Sequence, residues 1–209
     1  METSLFHPAY FGPLDQYIAM SKADSISFEM HDNYQKQTYR NRQYIYGANG
    51  RLQLNIPVKH RKDTHKRQLY KDVKIEQSFK WQQLHWKSIQ TAYRTSPFFE
   101  FYEDDFAFLF EKPATYLMDY NLKCTEVVAE ALGVDFNFKF TDEYKLDYSA
   151  NNEVKDERRF ISAKRSAYYE ISEYNQVFKS KYGFIPNLCV LDVLFNLGPS
   201  AEVYFDQIK

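Results

Sequence analysis

The chain has 209 residues, 44% of them hydrophobic and 26% charged, a composition that fits one globular domain with a genuine core. A net charge of −1 argues against a dedicated nucleic-acid binder, whose footprint is strongly basic. No run approaches the roughly 18 apolar residues of a membrane span. Met1-Glu2-Thr3-Ser4 lacks the basic start of a secretory signal, so a cytoplasmic protein is expected.

Residues 3–7 read as a short strand that Pro8 stops. Gly12 permits a backbone angle or close approach that other residues resist. Pro13 suits the first helical position, which predicts a helix from about Pro13 to Lys22. Residues 25–29 read as a second strand. So short a crossover predicts that the two strands are parallel neighbours. The helix N-terminus then lies just beyond a strand end, where open α/β sheets bind anions. Glu29, His31 and His7 would share that rim, but no recognised ligand spacing is present and no metal is assigned.

The run Tyr34-Gln35-Lys36-Gln37-Thr38-Tyr39-Arg40-Asn41-Arg42 is basic and tyrosine-bearing. It reads either as a charged edge strand or as side chains that hold phosphate or carboxylate. Gln43–Tyr46 reads as a strand, and Ala48-Asn49-Gly50 as a hairpin turn. Leu52, Leu54, Ile56 and Val58 alternate with other residues, which predicts a half-buried strand. Lys59–Arg67 reads as a basic loop, either solvated or a flap over an anion. Leu69–Gln77 is predicted as a further strand, with Val73 and Ile75 facing in.

The rest is mainly helical. Trp81, Leu84, His85, Ile89 and Ala92 recur at helical spacing, with Ser78 as the predicted cap and His85 as a core histidine. Ser96-Pro97 reads as the start of a second helix. A third runs from about Thr115 to Leu132 and is closed by Gly133. Cys124 and Cys189 fall in apolar helical patterns and read as reduced core residues. Residues 134–140 alternate as a late strand, and residues 141–157 read as a polar loop or insertion. Asn187 is the predicted cap of a final helix, Leu188 to Leu197, on which Asp192 and Asn196 share a face. A buried acid there needs a partner: either a structural bond to a nearby N–H or Arg, or, if Asp192 and Asn196 enter the site as expected, His7, Arg40 or Arg42. The expected architecture is therefore α/β: a Rossmann-like sheet begun by the N-terminal strand–helix–strand unit, a hairpin, and a helical C-terminal half. One domain is expected over 1–209, sheet-rich to residue 77 and helix-rich from 78.

Several separated motifs resemble the WbqC-like protein family. They are His7-Pro8-Ala9-Tyr10-Phe11-Gly12-Pro13, Tyr34-Gln35-Lys36, Tyr39-Arg40-Asn41-Arg42 and Leu54-Asn55-Ile56-Pro57-Val58. The likeness resumes at Tyr182-Gly183-Phe184-Ile185-Pro186-Asn187-Leu188 and at Asp192-Val193-Leu194-Phe195-Asn196-Leu197-Gly198-Pro199. The resemblance implies a role in surface-polysaccharide (O-antigen type) biosynthesis, as a transferase or sugar-modifying enzyme, without implying a reaction.

The residues themselves suggest a site for an anionic or nucleotide-linked small molecule. His7 is the candidate catalytic group, since its ordinary pKa suits a general base or a phosphate contact. Tyr10, Gly12, Lys36, Tyr39, Arg40, Asn41, Arg42, Asp192 and Asn196 are the candidate substrate contacts. No phosphate-binding loop, dinucleotide fingerprint or nucleophile elbow occurs, and no cofactor is assigned. The alternative reading is a non-catalytic binding or assembly module of a polysaccharide pathway.

Overall fold

The computed structural model describes residues 2–59, 67–148 and 153–208. His60–Lys66, most of the predicted basic loop, lie outside the described residues. Strand β1 (Thr3–Phe6) leads through helix α1 (Leu14–Ser21) to strand β2 (Ser25–Phe28). The two strands pair in parallel, Thr3 with Ser25 through Phe6 with Phe28, as expected. Strands β3 (Arg42–Gly47) and β4 (Gly50–Asn55) form a separate antiparallel hairpin. Gly50 follows its tight turn with φ +94°, open to glycine alone at little cost.

Helices α2 (Trp81–Tyr93), α3 (Phe99–Glu111) and α4 (Leu117–Leu132) come next, then strands β5 (Phe138–Phe140) and β6 (Val154–Asp156). The chain closes with the short helix α5 (Lys179–Tyr182) and with α6 (Val190–Leu197) and α7 (Ala201–Gln207). Gly133 ends α4 in a left-handed conformation, φ +71°. The four-stranded sheet has the order β5-β2-β1-β6, every pair parallel. The chain thus leaves β1 for β2 and β5 on one side and returns to its other side with β6. That reversal makes the C-terminal ends of β1 and β6 a topological switch point, where open α/β sheets hold ligands.

One buried cluster runs from Phe6 through the aromatic faces of α2 and α3 to Ile208. Apolar α6 sits within it, against α1, α3, α4, α7 and β3. No helix among the described residues is long and apolar enough to cross a membrane. Cys124 and Cys189 are free and buried.

Several local expectations are corrected. Leu69–Gln77 is not a sheet strand: Tyr70–Asp72 form a 3-10 turn and only isolated bridges flank it. Val73 and Ile75 face in as expected, because burial there needs inward side chains rather than a ladder. The polar stretch 141–157 contains β6, an edge strand with two exposed residues that carries no apolar alternation to reveal it. Leu52 is 40% exposed, so the inward face of the hairpin's second limb is Leu54 and Ile56. Helices α2 and α3 begin after Lys80 and Phe98, with neither Ser78 nor Ser96 as cap. Ser96 instead donates its hydroxyl to the Tyr93 carbonyl.

Candidate functional site

The turn after β1 is held in place by its backbone. Gln16 donates its side-chain amide to the His7 carbonyl at 3.0 Å, and the Tyr70 hydroxyl donates to the Pro8 carbonyl at 3.0 Å. The Tyr10 N–H bonds the Tyr39 carbonyl, and the Tyr39 N–H bonds that of Ile161. Tyr39 therefore ties the β1 turn to the segment after β6. Gly12 has φ +28°, and a Cβ there would stand 3.1 Å from the Tyr17 ring. This is the close approach that its place in the sequence suggested.

The start of α1 is not an anion site, which corrects that expectation. Pro13 precedes the helix as its cap residue rather than entering it. The Leu14 N–H bonds the Leu188 carbonyl, the Asp15 N–H bonds Asn187 Oδ1 at 2.9 Å, and the Gln16 N–H returns to Pro13. Asp15, fully buried in the first turn, accepts a two-pronged bond from Arg165. The chain's own carboxylate thus occupies the positive end of the helix. Asn187 caps α1, not the final helix.

The reactive groups meet one step away. His7 Nε2 lies 3.1 Å from Asp32 Oδ2, and Arg40 Nη2 lies 2.8 Å from the same oxygen. Arg40 Nη2 and His7 Nε2 are 3.0 Å apart. Arg40 is fully buried, with its guanidinium over the Tyr70 ring and its carbonyl held by Asn121. Its Nε and Nη1 have no partner, nor does His7 Nδ1. Burial and then the Arg40 charge push the His7 imidazole down to about 4, so it is neutral near pH 7. Burial pushes the Asp32 carboxyl up, but the His7 bond and the Arg40 charge outweigh this and hold it below the usual range. His7 Nε2 thus sits between a group that can only donate, Arg40 Nη2, and one that accepts, Asp32 Oδ2, while the buried Nδ1 has no partner.

His7, Asp32 and Arg40 line a cleft of about 380 Å³, completed by Gln35 and Tyr144, by Asp156 at the end of β6 and by Arg158 and Arg159 just after it. This is the switch point of the sheet. A larger cavity of about 620 Å³ opens between α3 and α4. Its walls, which include Phe101, Asp104, Asp105 and Glu130, hold no buried polar side-chain atom lacking a partner. Its size alone gives it no chemistry.

Of the residues expected in the site, His7 and Arg40 line this cleft. Tyr10 is buried elsewhere, its hydroxyl 2.9 Å from His85 Nδ1, and His85 is the core histidine expected. Tyr39 packs with Ala9 and Ile161. Asn41 donates to the Ile56 carbonyl. Lys36 is exposed on the loop beside Gln35, and Arg42 is half-buried at the start of β3. Asp192 is paired in the core, which corrects the expected pairing with His7, Arg40 or Arg42. It accepts bonds from the Tyr93 hydroxyl (2.8 Å), the Tyr174 hydroxyl (2.5 Å) and the Gln176 amide (2.8 Å). Asn196 bonds back to the Asp192 carbonyl one turn earlier.

The rim residues divide. Glu29 accepts from the His31 N–H and from the Thr141 hydroxyl. His31 Nε2 lies 3.0 Å from the Thr141 carbonyl. No metal-binding group of His, Cys, Asp and Glu occurs among the described residues. The sequence pattern gave no role to Asp32, Tyr144, Asp156, Arg158 or Arg159. The available signal was the charge-dense run Asp156-Glu157-Arg158-Arg159 at the end of an unrecognised edge strand.

Comparison with curated proteins and with solved structures returns no match. The sequence profile of the WbqC-like protein family matches residues 7–166, a span that opens on His7 and takes in Asp32, Arg40, Asp156 and Arg158. The resembling motifs at 182–199 lie beyond that match. With more than half of its length matched and the cleft residues inside the matched span, the chain belongs to the WbqC-like protein family.

Proposed function

We propose that the protein is a transferase-like enzyme of surface-polysaccharide biosynthesis, acting in the cytoplasm on a phosphate-bearing or nucleotide-linked sugar. The observation that carries this reading is the Arg40 guanidinium. It is fully buried, shares one carboxylate oxygen with a neutral histidine, and keeps Nε and Nη1 unpartnered. A buried cation with idle donors is costly unless a ligand's acceptors complete it. The family name adds a polysaccharide context, and the free cysteines suit a reducing compartment.

In this reading Arg40 holds a phosphoryl oxygen. Asp32 takes Nε2–H, which leaves Nδ1 as the base. His7 Nδ1 takes the proton of the acceptor's hydroxyl or amine as that group bonds to the sugar carbon, and the bond from that carbon to the phosphate breaks, its electron pair leaving with the phosphate held by Arg40. Asp32 stabilises the imidazolium that forms. His7, already neutral near pH 7, needs no prior deprotonation.

The test is to incubate the full chain with nucleotide sugars and sugar phosphates, follow products by mass spectrometry, and measure affinity by calorimetry. His7→Ala should abolish turnover and leave affinity within about tenfold. Turnover that survives His7→Ala unchanged would remove His7 from the reaction. Binding that depends on Arg40 with no turnover on any substrate would favour the binding-module reading instead.

A further inference from the structure

Arg158 lines the same cleft but has no part in the proton transfer proposed above. It follows β6, so it enters from the other side of β1 to Asp32. Its Nε donates to Asp156 Oδ1 at 2.8 Å and its Nη2 to Asp156 Oδ2 at 2.5 Å. Nη1 and Nη2 also reach the carbonyls of Lys145 and Leu146, at 2.8 and 3.2 Å. The guanidinium lies over the rings of Tyr144 and Tyr148, 5.5 and 5.1 Å from their centroids. Beyond it, Glu29 Oε2 is buried without a hydrogen-bond partner, 4.0 Å from Nη1.

The cleft therefore contains two guanidinium forks on different elements, each resting on its own carboxylate: Arg40 on Asp32, Arg158 on Asp156. One phosphoryl group is satisfied by a single fork. Two forks that reach one cavity from segments on either side of β1 match two linked anionic groups. The nearby Arg159 is not a third buried fork: its side chain is 54% exposed, against 11% for Arg158. At about 380 Å³ the cavity has the volume of a small-ligand site.

We infer that the cleft is built for a diphosphate rather than a monophosphate, with Arg40 on the phosphoryl group beside His7 and Arg158 on the other. Tyr144, in the segment from Tyr144 to Tyr148 that Arg158 ties down, forms part of its wall. This rests on the anion-site reading above and narrows its substrate class to diphosphate-linked compounds. When the second phosphoryl group arrives, Arg158 exchanges part of its grip on the Lys145 and Leu146 carbonyls for phosphate oxygens. Ligand occupancy is then felt in the segment's backbone.

The experiment is calorimetry on the full chain with inorganic phosphate and with pyrophosphate, at matched ionic strength. Pyrophosphate should bind at least about tenfold more tightly, or about 1.4 kcal/mol. Arg158→Gln should erase that preference, with a circular-dichroism spectrum like that of the wild-type chain showing that the variant is folded. Arg40→Gln should weaken both ligands. Equal affinity for the two ligands in the wild-type chain, or a preference that survives Arg158→Gln, overturns the diphosphate inference alone. If neither ligand binds, the anion-site reading falls and takes this inference with it. Hydrogen exchange on the wild-type chain gives a check that needs no variant. Residues 144–148 should change exchange rate with pyrophosphate and not with phosphate, and an equal response to both would also overturn the inference.

Discussion

Two buried carboxylates, Asp32 and Asp192, show how surroundings decide what an acid does. Asp32 lies against a cation and a histidine at a cleft wall, where it can orient chemistry. Asp192 lies among three neutral donors in the core, and burial pushes its carboxyl up. Asp192→Ala would strand the Tyr93 and Tyr174 hydroxyls and the Gln176 amide. It should cost about 1–3 kcal/mol of stability for each group it strands in urea unfolding, with phosphate affinity unchanged. A loss of affinity at unchanged stability would return Asp192 to the site. Asp32→Asn should act in the opposite way. It removes the acceptor that fixes the His7 tautomer, so kcat should fall on the order of 10²-fold or more with a small change in KM. A variant that changed KM alone would make Asp32 a binding group instead.

At the scale of the element, α1 is set by residues far from it in the chain. Its N-terminal donors are taken by Leu188 and Asn187, and its first-turn acid is held by Arg165. Asn187 sits at φ +53°, a conformation that asparagine tolerates better than most residues. Asn187→Gly keeps that backbone angle and loses only the acceptor of the Asp15 N–H, at a cost of about 1 kcal/mol. Asn187→Ala loses the cap and also strains the backbone, and should cost about 1–2 kcal/mol. Chemical denaturation of the two variants would separate these contributions. Equal costs would mean that the backbone angle contributes nothing.

For the whole molecule, acid stability follows from two histidines buried in different places. Burial is the main cause that holds both His7 and His85 down to about 4. Between about 4 and 6.5 the unfolded chain binds a proton at each site and the folded chain does not. Stability is therefore complete above that window and falls as pH drops through it, by up to about 3 kcal/mol per histidine. Asp192, with its carboxyl pushed up, opposes part of this loss. Thermal melting should show Tm dropping from pH 7 to pH 4.5, and His85→Gln, which cannot titrate there, should show a shallower drop. A Tm independent of pH across that range would mean that the two rings are solvated.

Local chemistry made much of this protein legible in advance. Pro8, Gly12 and Pro13 punctuate the strand-to-helix turn, alternation marks the early strands, and helical spacing marks α2 to α4. The parallel pairing of β1 and β2 followed from a crossover too short for much else. His7 and Arg40 stood out because a histidine at a strand end and an arginine in a polar run are chemically conspicuous. The tertiary structure decided which of the conspicuous residues meet. Lys36 and Arg42 share a run with Arg40, yet only Arg40 turns inward to the cleft, because backbone bonds through Tyr39 and Asn121 hold it there. Strand β6 left no apolar signature at the exposed sheet edge, so Asp156 and Arg158 could be joined to His7 only by pairing β6 with β1, about 150 residues away in sequence. Local residue patterns report what a segment does with its own backbone. A cleft at a switch point is made by strands that are neighbours in space and strangers in sequence, and no spacing along the chain records that.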